Sequence, residues 1–222
     1  MPSRLRPTAP IAAAAVLVGD PGRALLLAQE LIEEPKMSNH ARGLWAYFGT
    51  TPAGDELTIQ ATGMGGPSAA LVLGDLAELG LKRAIRVGTC VGIEASLGDL
   101  LVVDEAIARG GSAAALGVEP GTAVAPDRDL TEKLQSELGS EARLVSVASV
   151  DAHPAEHIAD LEVTAIDMQT APLLVRAATL QVELAVVLIV SESKRASASL
   201  EKEALEERER RAGRAASAAL SG

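Results

Sequence analysis

The sequence predicts an α/β fold: a single domain with a mixed, mostly parallel central sheet flanked by helices. Three observations carry that expectation. Apolar runs of strand length alternate with helix-length amphipathic runs, and glycine-rich turns follow apolar runs at Gly19, at Gly63 to Gly66 and at Gly88. Hydrophobic residues make up 48% of the 222 residues and charged residues 23%, enough for a sizeable core. Strands alternating with helices place helices on both sheet faces and binding sites at the carboxyl ends of strands.

The first strand, 12–18, stops at Gly19-Asp20-Pro21-Gly22. Asp20 is a suitable helix N-cap and Pro21 a suitable first helical position, so a helix follows over 24–31. Arg23 then sits in the first turn, where backbone N–H groups already carry partial positive charge. An arginine there suggests a bound anion; an ordinary surface arginine is the plain alternative. Runs 44–48 and 57–62 read as strands joined by a hairpin at Thr51-Pro52-Ala53-Gly54-Asp55, which makes the sheet mixed. A helix over 67–79 closes at Gly80, strands follow at 84–87 and 100–108, and 104–129 is loop-rich. A helix over 130–138 closes at Gly139, strands at 144–150 and 163–166 precede a helix over 171–180, and 185–190 is a further strand. From Ser199 the chain becomes a charged helix whose small-residue tail is expected to fray; residues 1–10 and 213–222 are expected to be flexible parts of one domain spanning 1–222.

A formal charge of −10 argues against nonspecific binding to nucleic acid or an anionic membrane. No apolar segment approaches the roughly 18 residues that span a bilayer. The N-terminal stretch lacks a small-residue cleavage site before Gly19, so no export signal is read there. The single cysteine, Cys90, excludes an internal disulfide framework and suits a reducing cytoplasm; its apolar neighbours mark a buried small side chain rather than a nucleophile. The only aromatics, Trp45, Tyr47 and Phe48, share one segment, which leaves no stacking platform for an extended nucleic-acid strand.

The turn after 57–62 lacks both the dinucleotide fingerprint and the lysine of a P-loop. In Ile85-Arg86-Val87-Gly88-Thr89, a guanidinium, a hydroxyl and backbone N–H groups together suit a tetrahedral oxyanion; a structural ion pair is the competing reading of Arg86. His153 and His157, four apart and near Asp151 and Glu156, could share a helix face, but no further metal ligand is placed and no metal is expected.

Four segments in order, "VGDPGRA", "NHARG", "ATGMGGPS" and "LKRAIRVGTCVG", followed by "AIDMQTAPLL" and "LIVSES", resemble the nucleoside phosphorylase family, which includes hexameric purine nucleoside phosphorylases and uridine phosphorylases. The resemblance implies attack by phosphate on the anomeric carbon of a nucleoside, with release of free base and ribose 1-phosphate. It implies phosphate held by Gly19, Arg23, Arg86 and Thr89, with Arg42 entering from a neighbouring subunit. It places Met64, Met168 and Gln169 on the ribose, and Asp151 and Glu192 on the base. Arg86 and Glu192 would be catalytic, Glu192 as proton donor. No metal or cofactor is implied beyond phosphate as co-substrate. A cytoplasmic homodimer or trimer-of-dimers hexamer is implied, with sites shared through Arg42.

The chain departs from that pattern where the family has a glutamate for the ribose hydroxyls and this sequence has Gln169, preceded by a shortened acid, Asp167. The amide is a neutral acceptor, so Gln169→Glu is expected to speed cleavage of ribonucleosides. Glu192 stands where the purine enzymes have aspartate; Arg208 and Arg210 are within sequence reach as its partner. Residues 150–157 supply no aromatic wall, and the Gln and Arg pair of uridine enzymes is missing. A nucleoside hydrolase on the same fold and a catalytically degenerate phosphate- or nucleoside-binding homologue are the alternatives.

Overall fold

Strand β1 (Ala14–Val18) shows why helices cover both sides of the sheet. Ala15 and Leu17 pack into one core and Val16 and Val18 into another, as the two-residue period of a strand with both faces buried requires. The computed structural model describes residues 4–152, 162–193 and 197–221. After β1 come α1 (Pro21–Leu31), β2 (Glu33–Asn39), a single helical turn at Ala41–Gly43, β3 (Ala46–Thr50), β4 (Glu56–Ala61) and α2 (Gly65–Glu78). The middle of the chain forms β5 (Arg83–Gly92), β6 (Leu100–Ala108), α3 (Gly111–Ala114), β7 (Ala123–Val124), α4 (Arg128–Leu138) and β8 (Ala142–Ser149). It ends with β9 (Ala165–Asp167), α5 (Thr170–Leu180), β10 (Glu183–Ser193), β11 (Ala198–Ser199) and α6 (Lys202–Leu220).

β1 lies parallel between β4 and β5, and β10 runs parallel to β5 on its other side. β6, β8 and β9 form a second parallel run. β10 also pairs antiparallel with β6, and β9 pairs antiparallel with β5, so β5, β10, β6, β8 and β9 close into a ring. The hairpin expected at residues 51–55 joins β3 and β4. The sheet is more mixed than the sequence suggests, because the antiparallel pairings that close the ring join strands distant in the chain and leave no turn signature. β2 also escapes sequence reading: its Glu-Glu-Pro-Lys sequence lacks apolar alternation, and as the sheet's end strand it can accommodate Pro35.

Helices α2 and α5 pack on one face of the sheet, and α1, α4 and α6 on the other. The C-terminal segment differs from its expected fraying. α6 continues to Leu220 with Ala212, Ala216 and Ala219 buried, because small side chains let it lie close to α1. A Cβ at Gly213 would stand 2.6 Å from Leu27 Cδ2. At the other end of the chain, the buried Asp75 carboxylate accepts from the backbone N–H of Arg4 at 2.7 Å and of Leu5 at 3.0 Å.

Candidate active site

The carboxyl ends of β1, β4, β5, β9 and β10 converge on a cavity of about 410 Å³. It brings together Gly19, Arg23, Met64, Arg86, Thr89, Met168, Gln169 and Glu192. Gly19 ends β1, and the Asp20 side chain caps α1 by accepting from Arg23 N–H at 2.9 Å. Arg86 and Thr89 stand on β5, Met168 and Gln169 follow β9, and Glu192 lies near the end of β10. A register shift between Val190 and Glu192 bulges β10 against β5; both Ser191 and Glu192 line the cavity.

Arg86 is 4% exposed and paired within the protein. Its Nη1 donates to Gln169 Oε1 at 2.7 Å and its Nη2 to Asp167 Oδ2 at 3.0 Å, while Nε is buried with no partner among the described residues. The guanidinium folds back over Gly88, where a Cβ would stand 2.6 Å from Arg86 Cζ; only glycine admits that path. Burial pulls the Arg86 guanidinium below its ordinary value, and the Asp167 charge and hydrogen bond oppose the shift. Asp167 is the hub of this network. It also accepts from Ser149 Oγ at 2.6 Å, Thr170 Oγ1 at 2.8 Å and the backbone N–H groups of Gln169 and Thr170 at the start of α5. A buried ion pair is tolerable when its remaining acceptors are satisfied in this way. The ion-pair reading of Arg86 is thus realised with Asp167, in a residue that also lines the cavity.

Gln169 links the two sides of the cavity floor, with Oε1 on Arg86 and Nε2 donating to Gly63 O at 2.6 Å. Arg23 is held differently. Its Nε donates to Glu209 Oε1 of α6 at 2.5 Å, and its side chain is 10% exposed. Burial pushes the Glu209 carboxyl up from its usual range, with the Arg23 charge and hydrogen bond pulling the other way.

A sequence model of the phosphorylase superfamily matches residues 13–222. The chain belongs to the phosphorylase superfamily. The chain is 32% identical over 194 residues to a purine nucleoside phosphorylase DeoD-type of Bacillus cereus strain ZK / E33L, covering 82% of each protein. A purine nucleoside phosphorylase DeoD-type of Oceanobacillus iheyensis is 41% identical over 96 residues, a stretch covering 43% of this chain and 39% of that protein. Among solved structures, uridine phosphorylase from Vibrio fischeri ES114 superposes with a TM-score of 0.85 at 20% identity, covering 95% of this chain and 92% of that one. Purine nucleoside phosphorylase from Toxoplasma gondii, in complex with immucillin-H, gives 0.84 at 19% identity, with 95% and 91% covered. The α/β fold with a mixed central sheet is thus that of the phosphorylase superfamily.

Arg42 and Asp151 do not line the cavity of this superfamily member. Arg42 is exposed in the turn at Ala41–Gly43 with φ +60°, a left-handed conformation uncommon for a non-glycine residue; Asn39 Nδ2 braces the turn by donating to Leu44 O at 2.5 Å. Asp151 holds the start of α3 instead, accepting from Ser112 N–H at 2.9 Å and Ser112 Oγ at 2.5 Å. His153, Glu156 and His157 fall outside the described residues. Among the described residues no group of three or more His, Cys, Asp or Glu side chains is placed to hold a metal ion. Neither Arg208 nor Arg210 lines the cavity, and Arg210 faces Glu30 at 3.7 Å and Glu206 at 3.8 Å. Cys90 is buried, as expected, and burial raises its thiol well above the usual range.

Sequence reasoning missed Glu209. The signal was present: with Leu205, Ala212, Gly213 and Ala216 it shares a helical stripe at spacings of three and four, and an acid inside such a stripe needs a buried cation.

Proposed function

We propose that this protein cleaves the glycosidic bond of a nucleoside by phosphorolysis. The observation that supports the reading best is the convergence of Gly19, Arg23, Met64, Arg86, Thr89, Met168, Gln169 and Glu192 on one cavity. Two guanidinium groups, a hydroxyl and the N-terminus of α1 form a donor set for phosphate. Each arginine has a carboxylate partner, Glu209 for Arg23 and Asp167 for Arg86, so this chain alone offers the dianion little net positive charge. Arg42 of a neighbouring copy is our proposed source of the remainder, which makes the working unit at least a dimer.

Phosphate held there presents an oxygen to the anomeric carbon of a sugar lying over Met64 and Met168. As the new C–O bond forms, the bond from that carbon to the base nitrogen breaks, and its electron pair leaves with the base. Glu192 is the group placed to donate the proton that neutralises the departing base. The phosphate charge lies beside the carbon that turns cationic in the transition state, where its stabilising effect is greatest. The product pair is free base and sugar 1-phosphate. Purine and pyrimidine nucleosides are both within this reading.

The test is a panel of nucleosides incubated with and without phosphate while free base is followed. Release that requires phosphate is the expected result. Release at the same rate in water alone identifies a hydrolase, and phosphate binding without any release identifies a binding protein.

A further inference from the structure

The two cavity arginines differ in which of their nitrogens remain open. Arg86 already has one hydrogen of each terminal nitrogen engaged, by Gln169 and by Asp167. Arg23 has given Nε to Glu209, no hydrogen bond joins its two terminal nitrogens to another described residue, and the side chain lines the cavity. We propose that Glu209 is a positioning residue of the anion site: it grips Arg23 from behind and turns the open fork toward the cavity. The inference rests on the reading that phosphate occupies that end.

The grip is built into the way α6 lies on α1. Arg23 faces Glu209, and one turn further along both helices Leu27 faces Gly213, where no Cβ would fit without displacing Leu27 Cδ2. Beyond that contact, Glu30 Oε1 accepts from Arg214 Nη1 at 2.5 Å. Three successive contacts thus fix α6 in register with α1, and the first of them reaches the site. A guanidinium held at Nε keeps its planar fork in one orientation, so phosphate meets a pre-ordered pair of donors rather than a rotating side chain. Asp20 and Glu206 also lie near the Glu209 carboxylate, and their charges oppose its ionisation while Arg23 favours it.

Steady-state kinetics with phosphate and nucleoside varied separately, together with the rise in Tm caused by inorganic phosphate, test the proposal. Glu209→Ala should raise the KM for phosphate about tenfold and shrink the phosphate-induced rise in Tm, with the KM for nucleoside changed by less than about twofold. Glu209→Gln retains an oxygen that accepts from Nε and should recover most of the phosphate affinity. Gly213→Ala leaves Glu209 in place but forces α6 from α1, and should act in the same direction as Glu209→Ala. It also serves if Glu209→Ala does not fold. A folded Glu209→Ala or Gly213→Ala protein with unaltered phosphate KM and unaltered phosphate-induced Tm rise overturns the proposal, as does an equal increase in both KM values. A wild-type protein that neither binds nor requires phosphate overturns the parent reading, and this one with it.

Discussion

The Gln169 side chain sits between Arg86 and Gly63 in one sense only: its oxygen accepts from Arg86 Nη1 at 2.7 Å and its nitrogen donates to Gly63 O at 2.6 Å. A turned amide would set N–H against N–H on one side and oxygen against oxygen on the other. Gln169→Glu produces the second conflict in any orientation, because a carboxylate has no hydrogen to donate. The lost buried bond should cost about 1–3 kcal/mol, a fall of roughly 2–12 °C in Tm. Ribonucleoside cleavage should slow, opposite to the gain that charge alone suggests. Melting curves and kcat/KM for the variant check this, and faster turnover would show that the amide is free to serve the sugar.

Arg86 and Asp167 should behave as one unit. Arg86→Met leaves a buried carboxylate without its cation, at a cost of about 3–5 kcal/mol in urea unfolding. Adding Asp167→Asn removes the unpaired charge, so the double variant should be more stable than the sum of the two single losses predicts. Simple additivity would mean that the pair carries no coupling.

Arg42 supplies a test of shared sites. An Arg42→Ala chain mixed with an Arg23→Ala chain should form some pockets that carry both wild-type arginines, and phosphate-dependent activity should return above that of either parent. Mixed assemblies without recovered activity or phosphate binding would remove Arg42 from the site.

Glu209 has a stability signature separate from its role toward Arg23. Its carboxyl is raised in the folded protein, so the folded state holds that proton more tightly than the unfolded chain does. The associated stabilisation is fully present below the ordinary glutamate value, about 4.3, and is lost as pH rises through the raised value. Glu209→Gln, which cannot ionise, should therefore gain stability relative to wild type as pH climbs through that window. A Tm difference between the two proteins that stays flat with pH would place the carboxyl at its ordinary value.

Cys90 should be silent in the native state. Burial keeps its sulfur as the thiol, not the nucleophilic thiolate, well into alkaline solution. A thiol alkylating agent at pH 8 should label it only after denaturation, and rapid labelling of the folded protein would show that the cavity opens onto the sulfur.

Much of this arrangement was legible in the sequence because it rests on local signals. Gly19-Asp20-Pro21 marks a strand turning into a helix through chemistry contained in a few residues, and the Asp20 cap is found where that chemistry puts it. Arg86 likewise stood out as a charge inside an apolar strand. What escaped reading depends on contacts between distant segments. Whether Arg86 keeps its terminal nitrogens or gives them to Asp167 and Gln169 is decided across 81 and 83 residues. The resemblance places Asp151 on the base; in the structure its carboxylate accepts from Ser112 at the start of α3, a contact across 39 residues that local composition does not reveal. β2 and β11 exist because neighbouring strands offer them an edge, a property of the sheet rather than of their own residues.

Arg23 and Glu209 are 186 residues apart in the chain. At synthesis rates of about 5–20 residues per second, Arg23 is made roughly 10–40 s before its partner. Through that interval β1 and α1 can form and bury their apolar residues, but the arginine has only water to orient it. The Arg23 side chain takes its final setting when α6, the last helix described, lies down on α1. A ribosome-bound chain halted before residue 209 would carry most of the sheet and every cavity-lining residue, and still present Arg23 as a loose surface cation.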